Sequence, residues 1–300
     1  MEERIKVYVH YLTAERNLSP YTLRNYCADL RHFGRYLEAE EHIGPLALDR
    51  QAFRRYLVSL GNIARASLRR RVSTIHTLYR YLVREGILKL DPLAGVGLPK
   101  QEYRLPPILE KDQLTAIIEA ADSEAPQGLR DRAILELLYA AGLRLAEVVA
   151  LDVEGVDLGE QLVRVTGKGN KERIVVIGRP AAQALHRFLR DGRPKLILSG
   201  EAALFVNRDG GRLGGRSVQK IVRKYAFLAG LDRRVFPHLL RHSFATHLMD
   251  GGADIRVVQH LLGHSSPDTT QIYTHVTMEQ QRRVYDRAFY NQVRKNLRAS

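Results

Sequence analysis

Cysteine occurs once in the 300-residue chain, as Cys27. A lone thiol excludes an internal disulfide framework and a cysteine-based zinc cluster, and it agrees with a reducing compartment. Long apolar runs are missing too: none approaches the roughly 18 to 20 residues that a membrane-spanning helix needs. The first residues, MEERIKVYVHYLTAER, are too charged for a secretory signal, so the expectation is an intracellular, cytoplasmic protein with no membrane partner. Acidic residues are in short supply. Asp and Glu number 33 against 47 Lys and Arg, leaving a formal net charge of +14 and a pI of about 10.0, a balance that suits a polyanion such as nucleic acid. An anionic membrane surface is the rival partner. Two cofactor signatures are absent as well. GKGNK at 167–171 lacks the GxxxxGK[ST] frame and no helix follows it directly, so ATP is not implied; there is no HExxH. His238 and His242, and His260 and His264, are each four apart, but with no supporting acid no metal and no cofactor is expected.

What is present reads as a globular chain long enough for one large or two modest domains, with 45% hydrophobic and 27% charged residues. Residues 1–97 read as helices. Ser19-Pro20 has the form of an N-cap and a first-turn proline, and Leu23, Tyr26, Leu30, Phe33 and Leu37 then recur at helical steps. Asp49 opens a shorter helix with Phe53, Tyr56, Leu57 and Leu60 inward and Gly61 at its end. A fourth helix has Leu68, Val72, Ile75, Tyr79 and Leu82 inside and Gly86 at its end. Residues 51–100 carry ten Lys/Arg and two Asp/Glu, while residues 1–50 carry seven and eight. Arg65, Arg69, Arg70 and Arg71 sit at the start of that fourth helix, where they are placed either as a solvated face or as contacts to a phosphate backbone. The stretch 90–109, LDPLAGVGLPKQEYRLPPIL, has four prolines and no helical period. It reads as an exposed break, with the linker itself at 98–108.

Residues 109–300 form the second domain. Ile134, Leu137, Leu138 and Ala141 make a buried stripe that Gly142 ends, and Arg144 follows in the turn LYAAGLRLAEVVALDV with Glu147 placed to orient it by a charge-assisted pair. A structural salt bridge at the helix junction is the plainer reading. LVRVTG and ERIVVIG around GKGNKE form a β-hairpin with Lys168 at its tip, where a flexible point charge can reach a groove or a reacting oxygen. ALFVN at 203–207 reads as a further strand, and Ser217 as the cap of a helix whose Arg216, Lys220, Arg223 and Lys224 form a basic face, placed either as a solvated surface or as contacts to a phosphate backbone. Pro237 to Val276 then collects His238, Arg241, His242, His247, His260, His264, Tyr273 and His275. His238 and Arg241 share one helical face and can converge on one anionic group, a phosphate being the natural candidate. His242, His247 and His260 read as packing or supporting groups. Tyr273, beside such a phosphate site, can serve as a nucleophile as well as a packing residue.

Arg144 in GLRxxE, Lys168 in GKGNK, His238 and Arg241 in HLLRH, His264 in LLGH and Tyr273 in TTQIYTH occur in this order. With these motifs the chain resembles the tyrosine recombinase (phage integrase) family, and the wording of GKGNKER and LLGHSSPDTTQIYTHV places it near the Xer branch. The resemblance covers essentially the whole chain; RLAE where serine is common before the glutamate, and IVVIG where proline is usual, depart from it without touching a catalytic position. It implies a mainly α fold, with an all-helical N-terminal DNA-binding domain and a mixed α/β catalytic domain holding a small antiparallel sheet.

The implied chemistry is attack of Tyr273 on a DNA phosphodiester to give a 3′-phosphotyrosyl link and a 5′-hydroxyl. Arg144 and Arg241 would clamp the non-bridging oxygens, and His264 would add a hydrogen bond to them. His238 would take the tyrosine proton or hold the phosphate, and Lys168 would protonate the leaving oxygen. The implied partners are a double-stranded recombination site, a four-way junction, and a homo- or hetero-tetramer with a related recombinase. A DNA translocase activator is a further candidate.

The tail carries Val284 or Tyr285, Ala288 or Phe289, Val293 and Leu297 on one helical side; the resemblance favours its docking on a neighbouring protomer over packing on its own domain. The expectation is that no arm-binding domain precedes residue 1, which would favour a Xer-like resolvase of chromosome or plasmid dimers over an integrase of a mobile element or a type IB topoisomerase. A catalytically idle DNA-binding protein of the same fold is disfavoured by the six filled positions.

Overall fold

Apolar residues recurring at three- and four-residue steps build two separate cores. The computed structural model describes residues 2–14, 20–98, 107–121, 124–167, 172–198, 200–232, 234–263 and 278–289, and the chain divides into two units, Met1–Leu105 and Pro106–Ser300. It is mainly α-helical with one small antiparallel sheet.

The first unit holds α1 (Glu2–Ala14), α2 (Pro20–Ala39), α3 (Arg50–Ser59) and α4 (Arg65–Arg84). Leu30, Phe33 and Leu37 of α2, Phe53 and Tyr56 of α3, and Val72, Ile75, Tyr79 and Leu82 of α4 are buried together; Leu23, Tyr26, Leu57 and Leu68 pack at the margin. Asp49 caps α3 by accepting a hydrogen bond from Ala52 N at 2.7 Å. Ser19, read as the cap of α2, lies outside the described residues. The exposed break expected from residue 90 starts later than that, because Leu93 is only 1% exposed and belongs to this core. Asp91 Oδ1 accepts from Leu93 N and Arg50 donates to Ala94 O, so prolines and glycines here shape a packed turn.

In the second unit α5 (Lys111–Glu119), α6 (Pro126–Ala140) and α7 (Leu145–Ala150) lead into β1 (Val156–Asp157), β2 (Leu162–Thr166) and β3 (Glu172–Val176). Then come α8 (Gly178–Arg187), α9 (Gly215–Leu228), α10 (Pro237–Asp250), α11 (Ile255–Leu262) and α12 (Met278–Phe289). The expected stripe on α6 proves to be part of a helix enclosed on nearly every side, since Leu129, Ala133, Leu135 and even Arg130, Asp131 and Glu136 are buried. Arg130 and Asp131 are tolerated because they pair at 2.7 Å, and Arg130 Nη1 also donates to Val206 O at 2.9 Å. The sheet is a meander in the order β1-β2-β3. Val163 and Val165 point inward and pair with Val175 and Arg173, so Arg173 shares the inner face of the hairpin.

Two expectations are corrected here. ALFVN is not a strand: Ala203, Leu204, Phe205 and Val206 are all buried, but the segment makes only isolated bridges, Asp152 to Ala203 and Val206 to Arg212. An apolar run enclosed on both sides looks the same in sequence whether or not a partner strand exists. Ser217 is not the cap of α9; Gly214 holds that position, and Ser217 lies in the first turn. Of the tail, Met278–Phe289 is described, and its Tyr285 and Ala288 are buried in the core of the second unit. Two glycines receive it, for a Cβ on Gly178 would lie 2.5 Å from Tyr285 and one on Gly251 2.7 Å from Ala288. Val293 and Leu297 lie outside the described residues.

Candidate active site

The centre of the site is a carboxylate, Glu147, which is only 3% exposed. It sits in the first turn of α7, where the Arg144 backbone N–H donates to its Oε2 at 2.7 Å, as the spacing in GLRxxE predicts. Arg144 Nη1 donates to Oε1 at 2.9 Å. Arg241, from α10, brings Nη1 within 3.9 Å of Oε2. Arg173, from β3, closes the cluster with Nη1 to Oε1 at 2.7 Å and Nη2 to Oε2 at 3.0 Å.

Two glycine turns floor the cluster. The Gly142 carbonyl accepts from Arg241 Nη1, and that of Leu262 from Arg241 Nη2 at 2.5 Å. Arg144 Nη2 donates to Gly263 O at 3.1 Å. Gly142 and Gly263 have φ of +55° and +64°, which glycine alone adopts without cost.

The electrostatics follow from this crowding. Burial by itself would push the Glu147 carboxyl up, but hydrogen bonds from Arg173 and from the Arg144 N–H outweigh it and hold the group below its ordinary range. Arg241, 4% exposed, is pushed down to about 10, first by burial and then by the neighbouring Arg144 charge. His238 is likewise lowered, chiefly by burial, with Arg241, His242 and Arg144 adding repulsion. The shift favours the neutral imidazole, the form that can accept a proton. A cluster whose cations repel one another in this way has an unmet preference for an anion, while Arg144 keeps 38% of its side chain open to solvent.

Of the residues expected in the site, Arg144, Glu147, His238 and Arg241 come together. Lys168, His264 and Tyr273 lie outside the described residues. Arg173 was missed by sequence reasoning; its signal was the strand alternation, which puts it in phase with Val175 and leaves Ile174 47% exposed. His247 is a packing residue, 3% exposed with Nδ1 2.9 Å from Tyr139 Oη. His260's side chain is outside the described residues. Among the described residues no cluster of three or more His, Cys, Asp or Glu could hold a metal ion, and no helix is long and apolar enough to cross a membrane.

The basic faces divide. Arg216, Lys220, Arg223 and Lys224 are exposed along α9, and Arg65 is exposed at the start of α4 with Arg69 half-buried. Arg70 and Arg71 are committed elsewhere: Arg70 Nη1 pairs with Asp29, itself 3% exposed, and Arg71 Nε lies 3.5 Å from the same carboxylate. They neutralise a buried acid rather than simply lining a surface.

The phage integrase family matches residues 107–280, and the phage integrase N-terminal SAM-like domain matches residues 5–86. Tyrosine recombinase XerC of Pelotomaculum thermopropionicum is 44% identical over 297 residues, covering 93% of this chain and 97% of that protein. Tyrosine recombinase XerD of Staphylococcus epidermidis is 40% identical over 289 residues, covering 95% and 98%. In fold the chain is similar to XerH site-specific recombinase bound to its difH substrate, with TM-score 0.68, 24% identity and coverage of 90% and 80%. It is also similar to lambda integrase (75-356) bound to a core site, with TM-score 0.69, 20% identity and coverage of 93% and 99%. The chain belongs to the phage integrase family. Within that family it is a tyrosine recombinase of the XerC/XerD kind, an enzyme of site-specific DNA recombination.

Proposed function

We propose that the chain cuts and rejoins DNA through Tyr273, with Arg144 and Arg241 as the phosphate clamp. The observation that carries this reading is the convergence of Arg144, from the α6–α7 turn, and Arg241, from α10, on the single buried carboxylate of Glu147. Tyr273 Oη attacks phosphorus, a P–O bond to tyrosine forms, and the bond to the 5′ oxygen breaks. His238, exposed at the start of α10 with its pKa lowered chiefly by desolvation, takes the tyrosine proton; Lys168 gives one to the leaving oxygen. The two guanidiniums and His264 stabilise charge on the non-bridging oxygens as it develops. The phosphotyrosyl bond retains the energy of the phosphodiester, so rejoining needs no ATP.

In this reading residues 1–97 form a core-DNA-binding domain, 98–108 a linker and 109–300 the catalytic domain. Arg65 and Arg69 on α4, and Arg216 and Lys220 on α9, contact the phosphate backbone. The protein works in the cytoplasm on a double-stranded site, within a tetramer around a four-way junction formed with its own copies or a related recombinase, under a DNA translocase. Its role is resolution of chromosome or plasmid dimers. Relatives named XerC and XerD at 40% to 44% identity favour this over integration of a mobile element.

The test is trapping on DNA. Wild type incubated with fragmented host DNA and then nicked duplexes is expected to yield a covalent adduct, and sequencing the trapped ends defines the site. Tyr273→Phe is expected to give none. Equal adduct from both proteins would sink the mechanism.

A further inference from the structure

Arg173 has no part in the chemistry set out above, yet it grips Glu147 with both prongs of its guanidinium, at 2.7 and 3.0 Å. Parallel pairing of this kind fixes direction as well as distance. The Arg173 side chain is only 19% exposed, and its buried Nε finds no acceptor among the described residues. That edge faces Gly263: a Cβ there would lie 3.0 Å from Arg173 Cζ and Nε. The guanidinium thus touches both the carboxylate that brackets the two clamp arginines and the turn whose carbonyl receives Arg144.

We propose that Arg173 is a positioning residue of the recombination site. By occupying both oxygens of Glu147 it holds that carboxylate as a rigid bracket for Arg144 and Arg241, and it spares their charge for the scissile phosphate. Three guanidiniums, Arg144, Arg173 and Arg241, against one carboxylate leave two positive charges; without Arg173 the same carboxylate would cancel half of what Arg144 and Arg241 present. Arg173 is the second residue of β3 and lies five positions after Lys168 in the chain, so the same pair ties β3 to the clamp. It does this from beneath the site, without touching substrate.

The proposal rests on the reading of Arg144 and Arg241 as the phosphate clamp, and the experiment separates the two. Single-turnover adduct formation is measured with the full chain on a nicked duplex built from the trapped sequence, alongside DNA affinity and thermal melting. Arg173→Met is expected to slow cleavage by about 100-fold, the scale of a misplaced catalytic group, with affinity changed less than about threefold. Arg173→Lys, which keeps the charge and stem but not the fork, guards against a folding defect: it is expected to melt as wild type and still cleave about tenfold more slowly. Glu147→Gln with Arg173→Met is expected to be no slower than the slower single variant, because the two act through one contact.

Wild-type cleavage by Arg173→Lys and Arg173→Met would overturn the proposal, as would multiplicative losses in the double variant. Arg144→Ala and Arg241→Ala run in parallel show where a failure lies. If these are inactive while the Arg173 variants cleave normally, only the role of Arg173 falls. If they too cleave normally, the clamp itself is wrong.

Discussion

Gly142 shows how one residue without a side chain serves both the fold and the site. A Cβ there would lie 2.3 Å from Phe244 Cδ1 and 3.1 Å from Leu262 Cδ2, on a backbone already at φ +55°. Its carbonyl is an acceptor for Arg241. Gly142→Ala is expected to cost about 2 to 4 kcal/mol, combining left-handed strain with overpacking, and chemical denaturation of the variant checks it. Because the acceptor moves with the turn, strand cleavage should fall as well. Sequence reasoning placed Gly142 at a helix end, which it is. The close approach of Phe244 was not legible, since it comes from a helix a hundred residues further along the chain.

Among the elements, α4 and α9 carry the basic faces, and the two do not behave alike. The exposed row on α9 follows from the helical spacing of Arg216, Lys220, Arg223 and Lys224 beside buried Val218, Ile221, Val222 and Tyr225. On α4 the four arginines split, because α2 supplies Asp29 to Arg70 and Arg71 and Thr74 Oγ1 lies 3.5 Å from the same carboxylate. Arg65, exposed, and Arg69, half-buried, head the same helix, and Arg65→Ala with Arg69→Ala is the pair that tests DNA contact. It is expected to reduce the slope of log affinity against log salt by about one to two, one phosphate for each arginine lost. An unchanged slope would return both residues to the solvated surface. Arg70→Ala should act differently, weakening the α2–α4 packing by about 1 to 3 kcal/mol by removing the nearer of the two arginines that pair with buried Asp29, with a lower melting temperature as the readout. Nothing in the spacing of LRRRV announces Asp29.

At the scale of the whole molecule, both units hold histidines whose charged form is disfavoured. His32 and His76 in the first unit, and His238 and His247 in the second, are all lowered from the ordinary 6.5, burial being the largest cause in each. Around His247, Lys111 adds to the lowering while Asp250 and Glu110 oppose it. The unfolded chain then takes up protons before the folded one does. Their contribution to stability is complete above about pH 6.5 and is lost as pH falls below it. The melting temperature is expected to drop between about pH 7 and about pH 5.5, and His247→Asn to flatten that dependence. A flat profile in the wild type would remove these histidines from the account. Glu147, held below the ordinary 4.5, adds a further loss at lower pH.

Residue type and order determined the family and the helical plan, and they put forward the groups proposed to react. These are written locally: three-residue spacing puts His238 and Arg241 on one face, and GLRxxE alone closes the Arg144–Glu147 contact. Tertiary structure decided which charges remain available. Arg173 joined the site, Arg70 and Arg71 were drawn to Asp29, ALFVN lost its strand, and Tyr285 and Ala288 of α12 were buried in the core of the second unit. In each case the deciding partner lies far off in sequence, and an ion pair or a packed side chain answers to distance in space rather than spacing along the chain.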